Sequence, residues 1–115
     1  MMGVFFYLLF MVYFQKGGFS MLKSLLSIHT GRIYVYLANE DICQRFLQDA
    51  ENEEFTFTDG TNPTQKHASD IIALNPDATI NYVGFVGRVA FQATNRIGNQ
   101  PLIKIDYRDV INRVE

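Results

Sequence analysis

The sequence predicts an α+β domain: a small antiparallel or mixed β-sheet with one amphipathic helix packed on one face. Three observations carry this. Between Asn39 and Asn52 one apolar stripe recurs at helical spacing. Several short runs rich in β-branched and aromatic residues alternate like strands and stop at Gly, Asn, Asp or Pro. Only one strong helix stands between those runs, whereas a doubly wound parallel sheet needs one at each crossover.

Taken in order, Leu22, Leu25 and Leu26 fall at i, i+3, i+4 and predict a short helix. Gly31 suits the position just past its end, where a positive φ is least costly for glycine. Arg32–Leu37 reads as a strand. Asn39 is a good N-cap, with Glu40 and Asp41 in the first turn where the helix dipole favours negative charge. Ile42, Cys43, Phe46, Leu47 and Ala50 form the stripe of the helix that follows, which should end near Asn52.

Phe55–Thr58 alternates like a strand and stops at the turn dipeptide Asp59-Gly60. Thr61–Lys66 is polar, contains Pro63 and reads as loop. Ser69–Leu74 is expected to make one or two helical turns, closed by Asn75-Pro76-Asp77. Thr79–Ala93 is expected to be sheet. Val83, Phe85, Val89, Phe91 and Ala93 share one parity, with Tyr82, Arg88 and Gln92 on the other. Gly84 and Gly87 mark either a bulge in one bent strand or a break between two. After a loop, Leu102–Tyr107 returns as an antiparallel partner with Ile103, Ile105 and Tyr107 inward. Val110, Ile111 and Val114 predict a short closing helix. Phe46, Phe85 and Phe91 are expected to be buried together.

A length of 115 residues fits one domain, and its composition is uneven. Residues 1–20 hold five of the ten Phe and a single charged side chain, Lys16, while all twelve acidic residues follow position 39. The apolar run Gly3–Phe14 would span about 18 Å as a helix, against roughly 30 Å of bilayer core. It also lacks the basic start and small-residue cleavage site of a signal peptide. Lys16–Met21 can be encoded by AAA-GGA-GGT-TTT-TCA-ATG, which holds a ribosome-binding AGGAGG about seven nucleotides before an ATG. The expectation is therefore that translation starts at Met21, with 1–20 upstream DNA translated in error and 21–115 a single α+β domain. The alternative is a genuine short membrane anchor.

From Met21 onward nine Lys and Arg face twelve Asp and Glu, a formal charge of −3. A mildly acidic domain lacks the positive field that draws proteins onto duplex nucleic acid or anionic lipid. The single cysteine, Cys43, excludes an intramolecular disulfide and thiolate-rich zinc sites, and points to a reducing cytoplasm.

Catalytic constellations are weak. His29 and His67 fall in separate loops or helix ends, with no carboxylate pattern to complete a metal site. Cys43 is expected on the apolar face, where a thiol stays neutral, and Ser24, Ser27 and Ser69 lack a G-x-S-x-G elbow. Asp49, Glu51, Glu53 and Glu54 lack the tight glycine loop of a calcium hand and read as a solvated helix end. Gly84-Phe85-Val86-Gly87 matches the G-x-x-G string with which KH domains clamp RNA, but close strand packing explains the glycines as well. No cofactor fingerprint is present. The softer candidate is a ligand-binding sheet face of Asn81, Tyr82, Arg88 and Gln92, with Arg96 in the next loop and Lys104 on the returning strand. Such side chains can hold a phosphate and stack a base, or simply face water.

From Arg32 on, RIYVYLANEDICQRFLQDAENEEFTFTDGTNPT, then ATINYVGFVGRVAFQA and LIKIDY, resembles small uncharacterised proteins of gut Firmicutes and their phages or mobile elements. The resemblance covers about four-fifths of the domain and implies a non-enzymatic accessory protein, with no catalytic residue to carry over. The expected function is a cytoplasmic binding protein whose partner is a second copy, another protein or a small nucleotide. A sharper form is an anti-defence protein that captures a nucleotide signal or blocks a host immune protein. The alternative is a small enzyme or enzyme subunit with a site across a dimer interface, joining His29 or His67 to Tyr107 and Asp106 of another chain. A membrane-anchored protein requires residues 1–20 to be real.

Overall fold

A computed structural model describes residues 21–29, 31–68, 70–93, 96–97 and 100–114. The expectations for residues 1–20 and for Ser69 lie outside them. The chain runs through helix α1 (Met21–Ile28), strand β1 (Ile33–Tyr36), helix α2 (Glu40–Asn52) and strand β2 (Thr56–Phe57). A short 3-10 turn (Pro63–Gln65) leads to strands β3 (Ile71–Asn75) and β4 (Thr79–Tyr82) and helix α3 (Gly84–Ala93). Two-residue strands β5 (Arg96–Ile97) and β6 (Gln100–Pro101) pair with each other before strand β7 (Ile103–Asp106) and helix α4 (Tyr107–Val114).

The fold is α+β, with a five-stranded mixed sheet in the order β2-β4-β3-β1-β7. β3 lies antiparallel to both β1 and β4, whereas β1–β7 and β2–β4 are parallel. Strand alternation divides the core. Ile33, Val35, Ile72, Leu74 and Ile80 face the side covered by α1, α2 and α4. Tyr34, Ile71 and Ala73 face the other, where Val83, Phe91 and Leu102 pack.

Helix α2 forms where expected. Asn39 accepts a hydrogen bond from the backbone N–H of Ile42 at 2.9 Å, which satisfies an otherwise orphan donor. The buried stripe of Cys43, Phe46, Leu47 and Ala50 turns onto the sheet. Phe46 meets Tyr107 edge-on, with ring centroids 5.1 Å apart and planes at 89°. The Tyr107 hydroxyl donates to Asp49 Oδ2 at 2.5 Å, so the polar tip of a fully buried ring has its partner.

The acidic run after α2 is not a solvated end. Glu53 is only 6% exposed, and its carboxylate accepts from the backbone N–H of Leu22 at 2.9 Å and of Lys23 at 3.0 Å. It therefore satisfies first-turn donors of α1 from a distant part of the chain. Asp49 holds Tyr107 and Arg45, and Glu51 accepts from both the backbone and the hydroxyl of Thr64. Glu54 alone is exposed, at φ 66° where the chain leaves the helix.

Four local expectations are corrected. The apolar run before Asn75 is strand β3, not helical turns: Ile71 and Ala73 are buried on one face, Ile72 and Leu74 on the other. A central strand covered on both sides shows no polar alternation, and a run this short fits a strand better than a helix. From Gly84 to Ala93 the chain is a helix, because Val83, Gly87 and Phe91, spaced by four, supply a stripe that packs on the sheet. Leu102–Tyr107 is not a hairpin partner of that segment. β7 instead runs parallel to β1, pairing Ile33 with Ile103 and Tyr36 with Asp106, and Tyr107 opens α4. Gly31 does not take a positive φ; Gly60 at 88° and Gly84 at 70° do, at the turn after β2 and the start of α3. It follows that Phe46, Phe85 and Phe91 are not buried together: Phe46 lies under α4, Phe91 on the opposite sheet face, and Phe85 is 80% exposed.

Two predictions follow from this packing. Burial pushes the Glu53 carboxyl up from 4.5 to about 7, outweighing the backbone donors and Lys23 that favour the anion. A raised folded pKa means a contribution fully present below about pH 4.5 and lost as pH rises through about 7, worth about 3 kcal/mol at most. Urea denaturation from pH 5 to 8 should show stability falling with pH, and Glu53→Gln should flatten that slope. At Gly87, a β-carbon would lie 2.7 Å from Val83 Cβ and 3.6 Å from the Tyr34 ring. Gly87→Ala should therefore lose about 1 kcal/mol net in urea denaturation, the overpacking exceeding the helix-propensity gain.

Candidate functional site

Helix α3 is the element whose outer surface is not explained by the core. It begins after Val83 at Gly84, whose positive φ turns the chain from β4 into the helix. Phe91 sits near Tyr36, ring centroids 6.2 Å apart, and Lys104 of β7 anchors the far end. The Lys104 ammonium donates to the Phe91 carbonyl at 2.6 Å and lies 5.1 Å from the Phe91 ring centroid. A cation at the last turn of a helix satisfies an open carbonyl and complements the dipole. The opposite surface carries Phe85 and Val86, each 80% exposed, and Val89 at 46%.

The only charged side chain on α3 is Arg88. Its guanidinium grips Asp70, just before β3, with both terminal nitrogens, Nη2 at 3.0 Å from Oδ2. This pairing holds the Asp70 carboxyl below its usual range and raises the Arg88 pKa. Arg88 thus ties the helix to the sheet, with its charge answered at the rim of the apolar patch.

The six residues singled out from sequence are distributed as follows. Asn81 donates to the Tyr82 carbonyl and accepts from the Asn75 amide at 2.7 Å, bracing β4 against β3. Tyr82 stands on the other side of the sheet, its ring 5.5 Å from Phe57 and its hydroxyl donating to the His67 carbonyl at 2.5 Å. Arg88 and Gln92 are on α3, Gln92 exposed; Arg96 is exposed on β5; Lys104 is beneath α3. No common sheet face joins them, because α3 covers the face that was expected to be open. The patch Phe85-Val86-Val89 was missed for the same reason. Read at a helical period, Phe85 and Val89 fall on one side and Val83, Gly87 and Phe91 on another, a signal present in the sequence.

An open cleft of about 260 Å³ lies beside α2 between Glu40, Cys43, Gln44, Leu47, Lys66 and His67. His67 Nε2 is 3.5 Å from Glu40 Oε2 at the exposed edge. Lys66 is bonded to Asp59 at 2.6 Å, which holds that carboxyl well below its usual range together with Thr61. Cys43 is buried, and burial followed by Glu40 and Asp70 pushes its thiol up. A neutral thiol is a poor nucleophile. Tyr107, required by a composite site across two chains, is enclosed in the core; burial, then the bond to Asp49, keeps its phenol protonated. Among the described residues no group of three or more His, Cys, Asp or Glu is arranged to hold a metal ion. Among them, too, no helix is long and apolar enough to cross a membrane.

Cys43 gives a direct check on this cleft. Labelling by a thiol-reactive disulfide at pH 8 should be at least tenfold slower in the folded protein than in urea, since thiolate fraction and access are both low. Compared with protein-family models, curated proteins and solved structures, the chain matches none.

Proposed function

We propose that this chain is a small, non-enzymatic, cytoplasmic binding protein that engages a protein partner through the outer surface of α3. The observation that carries the reading is the pair Phe85 and Val86, adjacent and each 80% exposed on a helix that is otherwise anchored. Scattered surface apolar residues need no explanation, but a contiguous patch on a short anchored helix marks a contact surface. Arg88 and Gln92 flank the patch and supply a polar rim.

Support for the non-enzymatic part comes from how the reactive side chains are employed. Asp49, Glu53, Asp59 and Asp70 each brace a helix, loop or strand, and Cys43 is a core thiol. In its sharper form the protein blocks a host immune protein in the setting of a phage or mobile element. That form is preferred over capture of a nucleotide signal because Phe85, Val86 and Val89 offer no donors to a phosphate.

A photo-crosslinking residue at Val86, introduced in cells, should give a discrete adduct with a protein partner. The same residue at Gln48, on the exposed side of α2, should not. Equal or absent adducts at the two positions would exclude α3 as the contact surface.

A further inference from the structure

Glu53 closes α2 in a place that is costly for a negative charge. Its side chain is 6% exposed, and it follows the last turn of α2, where the helix dipole presents its negative end. Among the described residues, the charged and titratable groups that face it are Lys23 on α1, Asp49 on α2 and Tyr107 on α4. Asp49 repels the anion, the Tyr107 phenol is neutral, and the Lys23 side chain is exposed, so water screens its charge. A buried carboxylate is normally paired with a cation, and this one holds two backbone N–H groups of α1 instead.

Those two bonds also fix where α1 opens. The N–H groups of a helix's first turn have no carbonyl partner within the helix, and those of Leu22 and Lys23 are answered by Glu53. Met21 therefore stands at the opening of the helix, with its side chain 1% exposed in the same core as Leu22, Phe46 and Phe55. Successive backbone nitrogens in a helical turn lie about 3 Å apart. Since Leu22 N is 2.9 Å from Glu53 Oε2, the Met21 nitrogen is within roughly 6 Å of the carboxylate, a range in which opposite charges act on each other.

The codons permitted for Lys16–Met21 bear on the same nitrogen independently, because they place an ATG at Met21 behind a ribosome-binding sequence. A chain begun there carries an α-ammonium at Met21 in place of a peptide N–H. The ammonium and the carboxylate answer each other's cost. A positive charge at a helix N-terminus is unfavourable by itself, and Glu53 supplies the anion that offsets it. Glu53 in turn gains the cation that its burial calls for.

We propose that the native chain opens at Met21 and that its α-ammonium forms an ion pair with the buried Glu53 carboxylate, fastening α1 to the end of α2.

The protein made from its own gene, with its own upstream DNA, tests both halves. A stop codon at Tyr13 should leave the amount of protein unchanged, and the intact mass should be that of residues 21–115. In the folded protein the α-amino group, titrated through the Met21 α-carbon resonance, should have a pKa at least one unit above the usual value of about 8, a tenfold shift in its proton affinity. In urea, or in Glu53→Gln, it should return to about 8. The fall in stability from pH 5 to 8 belongs to the chain with a peptide bond at Met21, and it should shrink in the chain that opens there, because the ammonium stabilises the Glu53 anion. Loss of the protein with the stop codon, or a mass that includes residues before Met21 or lacks Met21, overturns the proposed start. A start at Met21 with the same α-amino pKa in the folded protein and in urea overturns the ion pair, whether or not Glu53→Gln folds.

Discussion

Strand β3 sets the constraint from which the rest of the architecture follows. Four of its five residues, Ile71–Leu74, are buried and apolar, and a strand's side chains point alternately to opposite faces. Such a strand must be covered on both sides, and it occupies the middle of the sheet with β1 and β4 as antiparallel neighbours. One face is covered by three helices whose apolar stripes meet around Phe46 and Tyr107. The other receives α3. That short helix presents its small and aromatic residues, Gly87 and Phe91, to Tyr34 and Tyr36, and keeps them there with Arg88 and Lys104 at its two flanks. The exposed apolar surface on the far side is a consequence of this duty, because the helix is too thin a layer to bury both of its sides.

The same constraint explains what could and could not be seen in the sequence. Helices α1, α2 and α4 are legible because each is half-buried, and strands β1, β2 and β7 because β-branched and aromatic residues fill them. A half-buried element writes its period into the chain, as Ile42 to Ala50 does. β3 reads as helical turns because burial on both faces removes the alternation that distinguishes a strand, and unlike β1 it carries no aromatic residue that favours one. The segment Gly84–Ala93 reads as strand because Val86 and Val89 have strand-like preferences that the tertiary setting overrides. Its helical period was nonetheless present, in Val83, Gly87 and Phe91.

The candidate site was less legible than the fold. Asn81, Tyr82, Arg88, Gln92, Arg96 and Lys104 come together only if the segment from Thr79 to Ala93 is sheet with an open face. Replacing strand by helix sends Tyr82 and Lys104 to opposite sides of the β-layer and leaves Arg88 bound to Asp70. The acidic run at the end of α2 shows a related difficulty. Spacing alone gives no reason to expect Glu53 to reach the start of α1, thirty residues earlier in the chain, or Asp49 to reach Tyr107. Long-range partners of single polar residues leave no periodic trace.

The parallel pairing of β7 with β1 joins residues that are far apart along the polypeptide, Ile33 with Ile103. During synthesis, β1 can meet β3 well before β7 exists, so one rim of the nascent sheet stays open and the Phe46 ring lacks its Tyr107 lid. Until the stretch from Ile103 to Val114 has cleared the ribosome, the growing chain carries an unpaired strand rim beside a greasy hollow, the two features that invite misassociation. The pairing that completes this rim of the sheet is also the one that brings Tyr107 over Phe46.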